Sequence, residues 1–147
     1  MQVRQGTIAD LEDLVPLFDG YRTFYGQHPD EALARSFLLD RLRHLQSIIF
    51  IAFSDDQAIG FAQLFPSFSS GRVARTFILN DLFVAPQARG KGAGKALLAA
   101  AAEYGKAVGA VRLTLSTAHD NGAAQSLYEG MGWSRETTFV SYNLPLA

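Results

Sequence analysis

The chain has no cysteine, a single tryptophan and only three histidines among its 147 residues. Without cysteine there is no disulfide, no thiolate metal site and no cysteine nucleophile. No strong excess of either charge is present: net charge is −1 with 18% charged residues, so the basic footprint of a nucleic-acid-binding protein is missing. Nowhere do about eighteen uncharged apolar residues follow one another, and "MQVRQGTIADLEDL" lacks an apolar run after a basic start, so neither a membrane span nor a secretion signal is expected. These absences favour a soluble cytoplasmic protein with no nucleic-acid or membrane partner and no metal. At 48% hydrophobic residues the chain can bury a core of its own, and a single domain over residues 1–147 is expected.

What the chain does have is a periodic pattern. Val3 to Gln5 reads as a short strand. Thr7 then caps a helix starting at Ile8, with Asp10 three residues after the cap and Leu11, Leu14, Val15, Leu17 and Phe18 at helical spacing. "GQHPD" breaks it, and a second helix from about Asp30 to Gln46 carries Leu33, Phe37, Leu38, Arg41, Leu42 and Leu45. "SIIFIAFS", "AIGFAQLFPSF" and "VARTFILNDLFVAP", joined by the turns "DDQ" and "SSGR", form an antiparallel meander. A helix over Gly92 to Val108, a strand "AVRLTLST", a helix "NGAAQSLYEGMG" and a closing pair of strands, "WSRE" and "TFVSYNLPL", complete the order β-α-α-β-β-β-α-β-α-β-β. The right-handed crossover from Phe83 to Leu113 makes its two strands parallel neighbours, so the sheet is mixed.

The entrance to the third helix stands out. Arg89–Lys95 holds three glycines and three positive charges, although a glycine inside a helix costs up to about 1 kcal/mol relative to alanine. The first N–H groups of a helix are unpaired and carry the positive end of its dipole, which suits a phosphate. Gly90, Gly92 and Gly94 leave the backbone approachable, and Arg89, Lys91 and Lys95 add positive charge. A Walker loop would need Ser or Thr where Ala96 stands and glycine where Arg89 stands. A dinucleotide fingerprint would need Gly-x-Gly-x-x-Gly after a strand of a parallel unit. Both fail. Alternatively, the glycines serve only close packing of helix and strand.

"QARGKGAG" (residues 87–94), preceded by "DLFVAP", resembles the Gln/Arg-x-x-Gly-x-Gly/Ala motif of the GNAT superfamily of acetyl-CoA-dependent N-acetyltransferases. "NGAAQSLYEGMGW" (residues 121–133) resembles that superfamily's Asn-x-x-Ala-x-x-Leu-Tyr-x-x-x-Gly-Phe segment, with Trp133 at the aromatic position. "FPSFSS" and "ILNDLFV" further resemble the subgroup of yeast histone acetyltransferase-like proteins, in which dimers are common, so a homodimer is an expectation. The resemblance implies an α/β (α+β) fold: a mixed, mostly antiparallel sheet of about seven strands flanked by about four helices, with a V-shaped splay between the fourth and fifth strands.

It also implies roles. Acetyl-CoA is the co-substrate; its pantetheine arm pairs with the backbone of Leu82, Phe83 and Val84, and its pyrophosphate lies on the loop, with Gln87, Arg89, Gly90, Lys91, Gly92, Ala93, Gly94 and Lys95 as cofactor-binding residues. Asn121 matches the residue that bonds the pantetheine arm. Tyr128 matches the one whose hydroxyl points at the sulfur, and a phenol with a pKa near ~10 can protonate a departing thiolate. Many relatives carry a glutamate base where this chain has Asn80, which cannot accept a proton but can position water or substrate. Strand alternation sets Asp81 on the opposite face from Asn80, so it cannot replace that carboxylate without a bulge and reads as structural. His119, after the "LST" strand, is another proton relay to test. Tyr21, Tyr25, Phe65 and Ser67, with Phe68 and Tyr142, come from elements that border the acceptor cleft and suggest a small, partly apolar amine. The implied activity is direct acetyl transfer to a primary amine in a ternary complex. The alternatives are an acetyl-CoA sensor without turnover and an acetyltransferase acting on protein lysines or N-termini.

Overall fold

The computed structural model describes residues 1–147, which divide into two compact units, Met1–Ser116 and Thr117–Ala147. In the first unit β1 (Gln2–Gln5) ends at the expected cap: Thr7 Oγ1 accepts from the Ala9 N–H at 3.3 Å, and the Asp10 carboxylate accepts from the Thr7 N–H at 2.8 Å. Each bond satisfies a donor that the start of a helix leaves unpaired. The first turn, Ile8–Asp10, is a 3-10 turn, and α1 (Leu11–Phe24) continues from it. Arg4 forms an ion pair with Asp10 at 2.7 Å; this bond first, and the Thr7 amide after it, hold the Asp10 carboxyl below the usual carboxylate range. The connection to α2 (Glu31–Arg43) is organised by Asp19, which accepts from Arg22 at 2.7 Å and from the Asp30 amide at 3.0 Å, while Asp30 caps α2 through the Leu33 amide.

The expected meander forms β2 (Ile48–Ser54), β3 (Gln57–Ser69) and β4 (Ala74–Val84), followed by α3 (Ala93–Ala107) and β5 (Leu113–Thr114). The five strands make one open sheet in the order β1-β2-β3-β4-β5, antiparallel except for the parallel β4/β5 pair. Side chains alternate across it. Phe61 of β3 meets Phe18 of α1, whereas Phe77 of β4 meets Tyr104 of α3, so α1 lies over one face and α3 over the other. Leu14, Val15, Leu38, Ile51 and Phe61 fill the first layer at full burial, and Leu97, Leu98 and Ala101 turn inward from α3. Burying each large apolar side chain contributes about 1.5–3 kcal/mol. Gly20 lets α1 come close to β4, since a Cβ there would stand 3.2 Å from the Phe83 ring. Tyr21 is thereby set beside the middle of β4.

The second unit contains α4 (Gly122–Gly130). The four α-helices match expectation, but the sheet has five strands instead of about seven: "WSRE" and "TFVSYNLPL" are not strands, and "AVRLTLST" contributes only Leu113–Thr114. Apolar alternation reports a segment that can be half-buried, whereas a strand is defined by a backbone ladder, which alternation does not encode.

The second helix also ends earlier than its apolar pattern suggests. After Arg43 the chain closes a Schellman turn, with the Gln46 amide on the Arg41 carbonyl at 2.9 Å, and Leu45 takes a left-handed backbone (φ 53°) with its side chain 84% exposed. The buried stripe is set by Ala34 and Leu38, while Leu33 is exposed. Glycine is the residue suited to the left-handed position. Leu45→Gly is therefore expected to stabilise the protein by up to about 1 kcal/mol, since the relieved strain of about 1–2 kcal/mol is partly offset by the looser unfolded chain. Thermal unfolding should show a rise of about 2–4 °C, and a fall would mean that the Leu45 side chain packs.

Candidate active site

Between β4 and α3 the chain makes a 3-10 turn, Pro86–Ala88, and then the glycine loop. Gly90 (φ 80°) and Gly92 (φ 87°) both have left-handed backbones, and a Cβ at either would meet nothing within 4 Å. Conformation, not crowding, requires glycine there, and the space above the loop is open. No side chain caps α3, and the first amide with an intrahelical partner is that of Ala96, which donates to the Gly92 carbonyl at 3.1 Å. The amides of Ala93, Gly94 and Lys95 precede it. Ala93 is buried, so it offers a ligand its backbone alone, while Gln87, Lys91 and Lys95 are exposed. Arg89 is anchored rather than mobile: its Nε donates to the Val84 carbonyl at 2.9 Å, and its guanidinium lies over Phe24 at 5.5 Å and Phe83 at 5.6 Å. Such a guanidinium, held by two rings, keeps its charge fixed beside the loop.

The strand leading into the loop is paired on one side only. β5 reaches β4 at Phe77 and Ile78, whereas Leu82, Phe83 and Val84 pair with β3 alone among the strands. Leu82 and Val84 are half-buried and Phe83 is buried.

Upstream, the register between β3 and β4 slips: Gln63 pairs with Asp81 and Leu64 with Leu79, leaving Asn80 as the extra residue of a β-bulge. The bulge changes the relation that alternation gives Asn80 and Asp81, because the two side chains now bond each other, Asn80 Nδ2 to Asp81 Oδ1 at 2.8 Å. Asp81 is 2% exposed and its other oxygen accepts from Gln63 Nε2. The Tyr21 hydroxyl donates to the Asn80 carbonyl at 3.3 Å and also interacts with the Asp81 carboxylate. Burial pushes the Asp81 carboxyl up, and the bonds from Asn80, Gln63 and Tyr21 oppose it only in part. Gln63 and the aromatic bed of Arg89 are features of the candidate site that motif reading overlooks. The readable signal for Gln63 is a lone amide inside the apolar strand "AIGFAQLF".

The Tyr21 and Tyr25 rings meet at a tilt of 57° with centres 4.9 Å apart, and Tyr21 also abuts Phe61 and Phe83. Phe65 and Ser67 alternate with Gln63 along β3, on the face that α1 covers near Phe61. Phe68 and Tyr142 are exposed, at 71% and 91%. In the second unit Asn121 is the N-cap of α4, its Oδ1 accepting from the Ala124 amide at 3.2 Å. Tyr128, on the last turn of α4, has its ring 6.0 Å from that of Trp133. His119 lies in the preceding loop, its carbonyl bonded by Gln125 Nε2 at 3.0 Å.

Unpaired amides at a helix entrance suit a phosphate, and a half-paired strand suits an extended arm. Residues 11–133 match the model of the acetyltransferase (GNAT) family, and the chain belongs to that family. Over 144 residues, 98% of this chain and 97% of the other, it is 49% identical to the uncharacterized N-acetyltransferase YhfO of Bacillus subtilis (strain 168). It is 30% identical over 146 residues to an aminoglycoside N(6')-acetyltransferase type 1 of Salmonella enteritidis, covering 97% of each. A crystal structure of a probable acetyltransferase superposes with a TM-score of 0.96 at 41% identity over 100% of this chain and 99% of that one. An aminoglycoside N-acetyltransferase in complex with CoA shares the fold, at a TM-score of 0.80 and 24% identity over 97% of this chain and 93% of that one. The protein is thus an N-acetyltransferase of a family whose acetyl donor is acetyl-CoA. No helix in it is long and apolar enough to cross a membrane.

Proposed function

We propose that the protein transfers acetyl from acetyl-CoA to a primary amine of a small molecule by direct attack in a ternary complex, and that its two units act as one acetyltransferase domain. The observation that carries this reading is the uncapped start of α3, where Gly90 and Gly92 hold unpaired amides open to solvent beside the one-sided strand Leu82–Val84. Backbone of that kind is satisfied by a ligand, the amides by pyrophosphate and the strand by an extended arm. The residues fit the donor: Arg89, Lys91 and Lys95 supply charge, Gln87 and Asn121 supply polar contacts, and the loop offers no obstructing side chain. Acetyl-CoA, when bound, supplies the activated acyl group.

In the reaction the neutral amine forms a bond to the acetyl carbon, the carbon–sulfur bond breaks with its electron pair going to sulfur, and Tyr128 donates the proton that the thiolate takes. Asn80 holds the amine or a water at the bulge. Tyr21, Tyr25, Phe65 and Ser67 border the acceptor, and the adjoining tyrosine rings favour a small amine with apolar or cationic character. Support for a small-molecule acceptor comes from the full-length relation to an aminoglycoside acetyltransferase. An assay of CoA-thiol release across polyamines, aminoglycosides, amino acids and lysine peptides tests the reading. Turnover with small amines is expected, and turnover with peptides alone would replace it by protein acetylation.

A further inference from the structure

Asn80 leaves the amine without a base, because an amide takes no proton. The bulge supplies a carboxylate at the next residue, and a tyrosine hydroxyl bridges the gap. Resting on the acetyl-transfer reading, we propose that Tyr21 and Asp81 form the proton relay for the acceptor amine, with the Tyr21 hydroxyl as the catalytic group that meets the amine and Asp81, acting through it, as the proton's destination.

Three observations carry this. Asp81 is 2% exposed, so the acceptor cannot reach it directly, yet its carboxylate interacts with the Tyr21 hydroxyl, which also lies 3.3 Å from the Asn80 carbonyl at the bulge. Tyr21 itself is half-buried and adjoins the Tyr25 ring. The carboxylate is wired to receive: Asn80 Nδ2 and Gln63 Nε2 each donate to one of its oxygens. Gln63 Oε1, buried and without a partner, stands one amide rotation away from accepting the hydroxyl that a protonated Asp81 would present. The pocket can therefore hold Asp81 in both protonation states.

As the amine nitrogen bonds to the acetyl carbon, its surplus proton passes to Tyr21 Oη while the Tyr21 hydroxyl turns from the Asn80 carbonyl and gives its own proton to an Asp81 oxygen. The thiolate is protonated separately by Tyr128, which regains its proton from solvent, and Asp81 returns its proton to solvent through Tyr21 after the amide leaves. The groups facing Asp81 are Tyr21 from α1, Gln63 from β3 and Asn80 from its own strand, and no charged side chain adds to them. Burial raises the Asp81 carboxyl, which moves this base from the usual carboxylate range toward neutrality.

The test is kcat/KM against pH for the full chain and for Asp81→Asn and Tyr21→Phe, with acetyl-CoA affinity measured by calorimetry and Asp81 titrated by carboxyl 13C NMR. Each variant is expected to lose about 10–10²-fold at neutral pH with acetyl-CoA affinity unchanged. Each should lose the same acidic inflection, and the double variant should be no worse than either single one, as for groups acting as a unit. Tyr21→Phe should also move the Asp81 titration further up by removing a donor to its charged form. Variants that keep the parent profile, or an inflection lost only in His119→Ala, would overturn the relay while leaving acetyl transfer standing. A parent protein that binds CoA yet releases no thiol with any amine would overturn the acetyl-transfer reading itself.

Discussion

Gly92→Glu is expected to lower acetyl-CoA affinity by about 10²-fold or more, to the edge of detection by calorimetry. Two costs combine. Gly92 sits at φ 87°, where a side chain costs about 1–2 kcal/mol relative to glycine, and in the bound state that cost either persists or turns the loop amides away from the ligand. The new carboxylate then stands where the proposed pyrophosphate approaches the start of α3, replacing attraction by repulsion in partly desolvated surroundings. Gly92→Ala separates the two: it carries the backbone cost without the charge and should lose less. No large clash accounts for either effect, since the space around a Cβ at this position is empty for 4 Å. Unchanged affinity in Gly92→Glu would remove the loop from the site.

Tyr128→Phe is expected to reduce kcat by about 10²-fold with little change in acetyl-CoA affinity. The substitution keeps the ring and its contact with Trp133, 6.0 Å between centres, and removes only the hydroxyl. Without that proton the thiolate must leave as an anion or wait for solvent, so donors whose leaving thiol is more acidic should be less affected. Weakened binding with a normal rate at saturation would instead make Tyr128 a packing residue.

Local signals carried much of the fold. The Thr7–Asp10 box, the break at "GQHPD", the turns "DDQ" and "SSGR" and the glycine entrance to α3 are each written within a few residues, and each appears where its chemistry demands. Features that depend on a partner element were not legible. The bulge at Asn80 is one extra residue with no compositional mark, and it alone decides that Asn80 and Asp81 meet. The anchoring of Arg89 needs Phe24 from a helix more than sixty residues earlier, which spacing within the motif does not reveal. Alternation reads the closing segments as strands although no ladder forms there, and Leu45 fits the helical period by its apolar side chain while its backbone does not. The glycine loop and Tyr128 are legible as motifs, whereas the network of Gln63, Asp81 and Tyr21 depends on β3, β4 and α1 coming together.

The lone tryptophan adds an optical consequence. Trp133 follows α4, donates its backbone N–H to the Tyr128 carbonyl at 3.1 Å, and is the chain's single indole. Emission excited selectively from indole therefore arises wholly in the 117–147 unit, next to the proposed acid, while the 1–116 unit stays dark. Titrating CoA and following that emission reports whether the surroundings of Tyr128 respond to a ligand whose phosphates are proposed to bind in the other unit. The native chain thus carries its own optical label in that unit, with no dye or added residue.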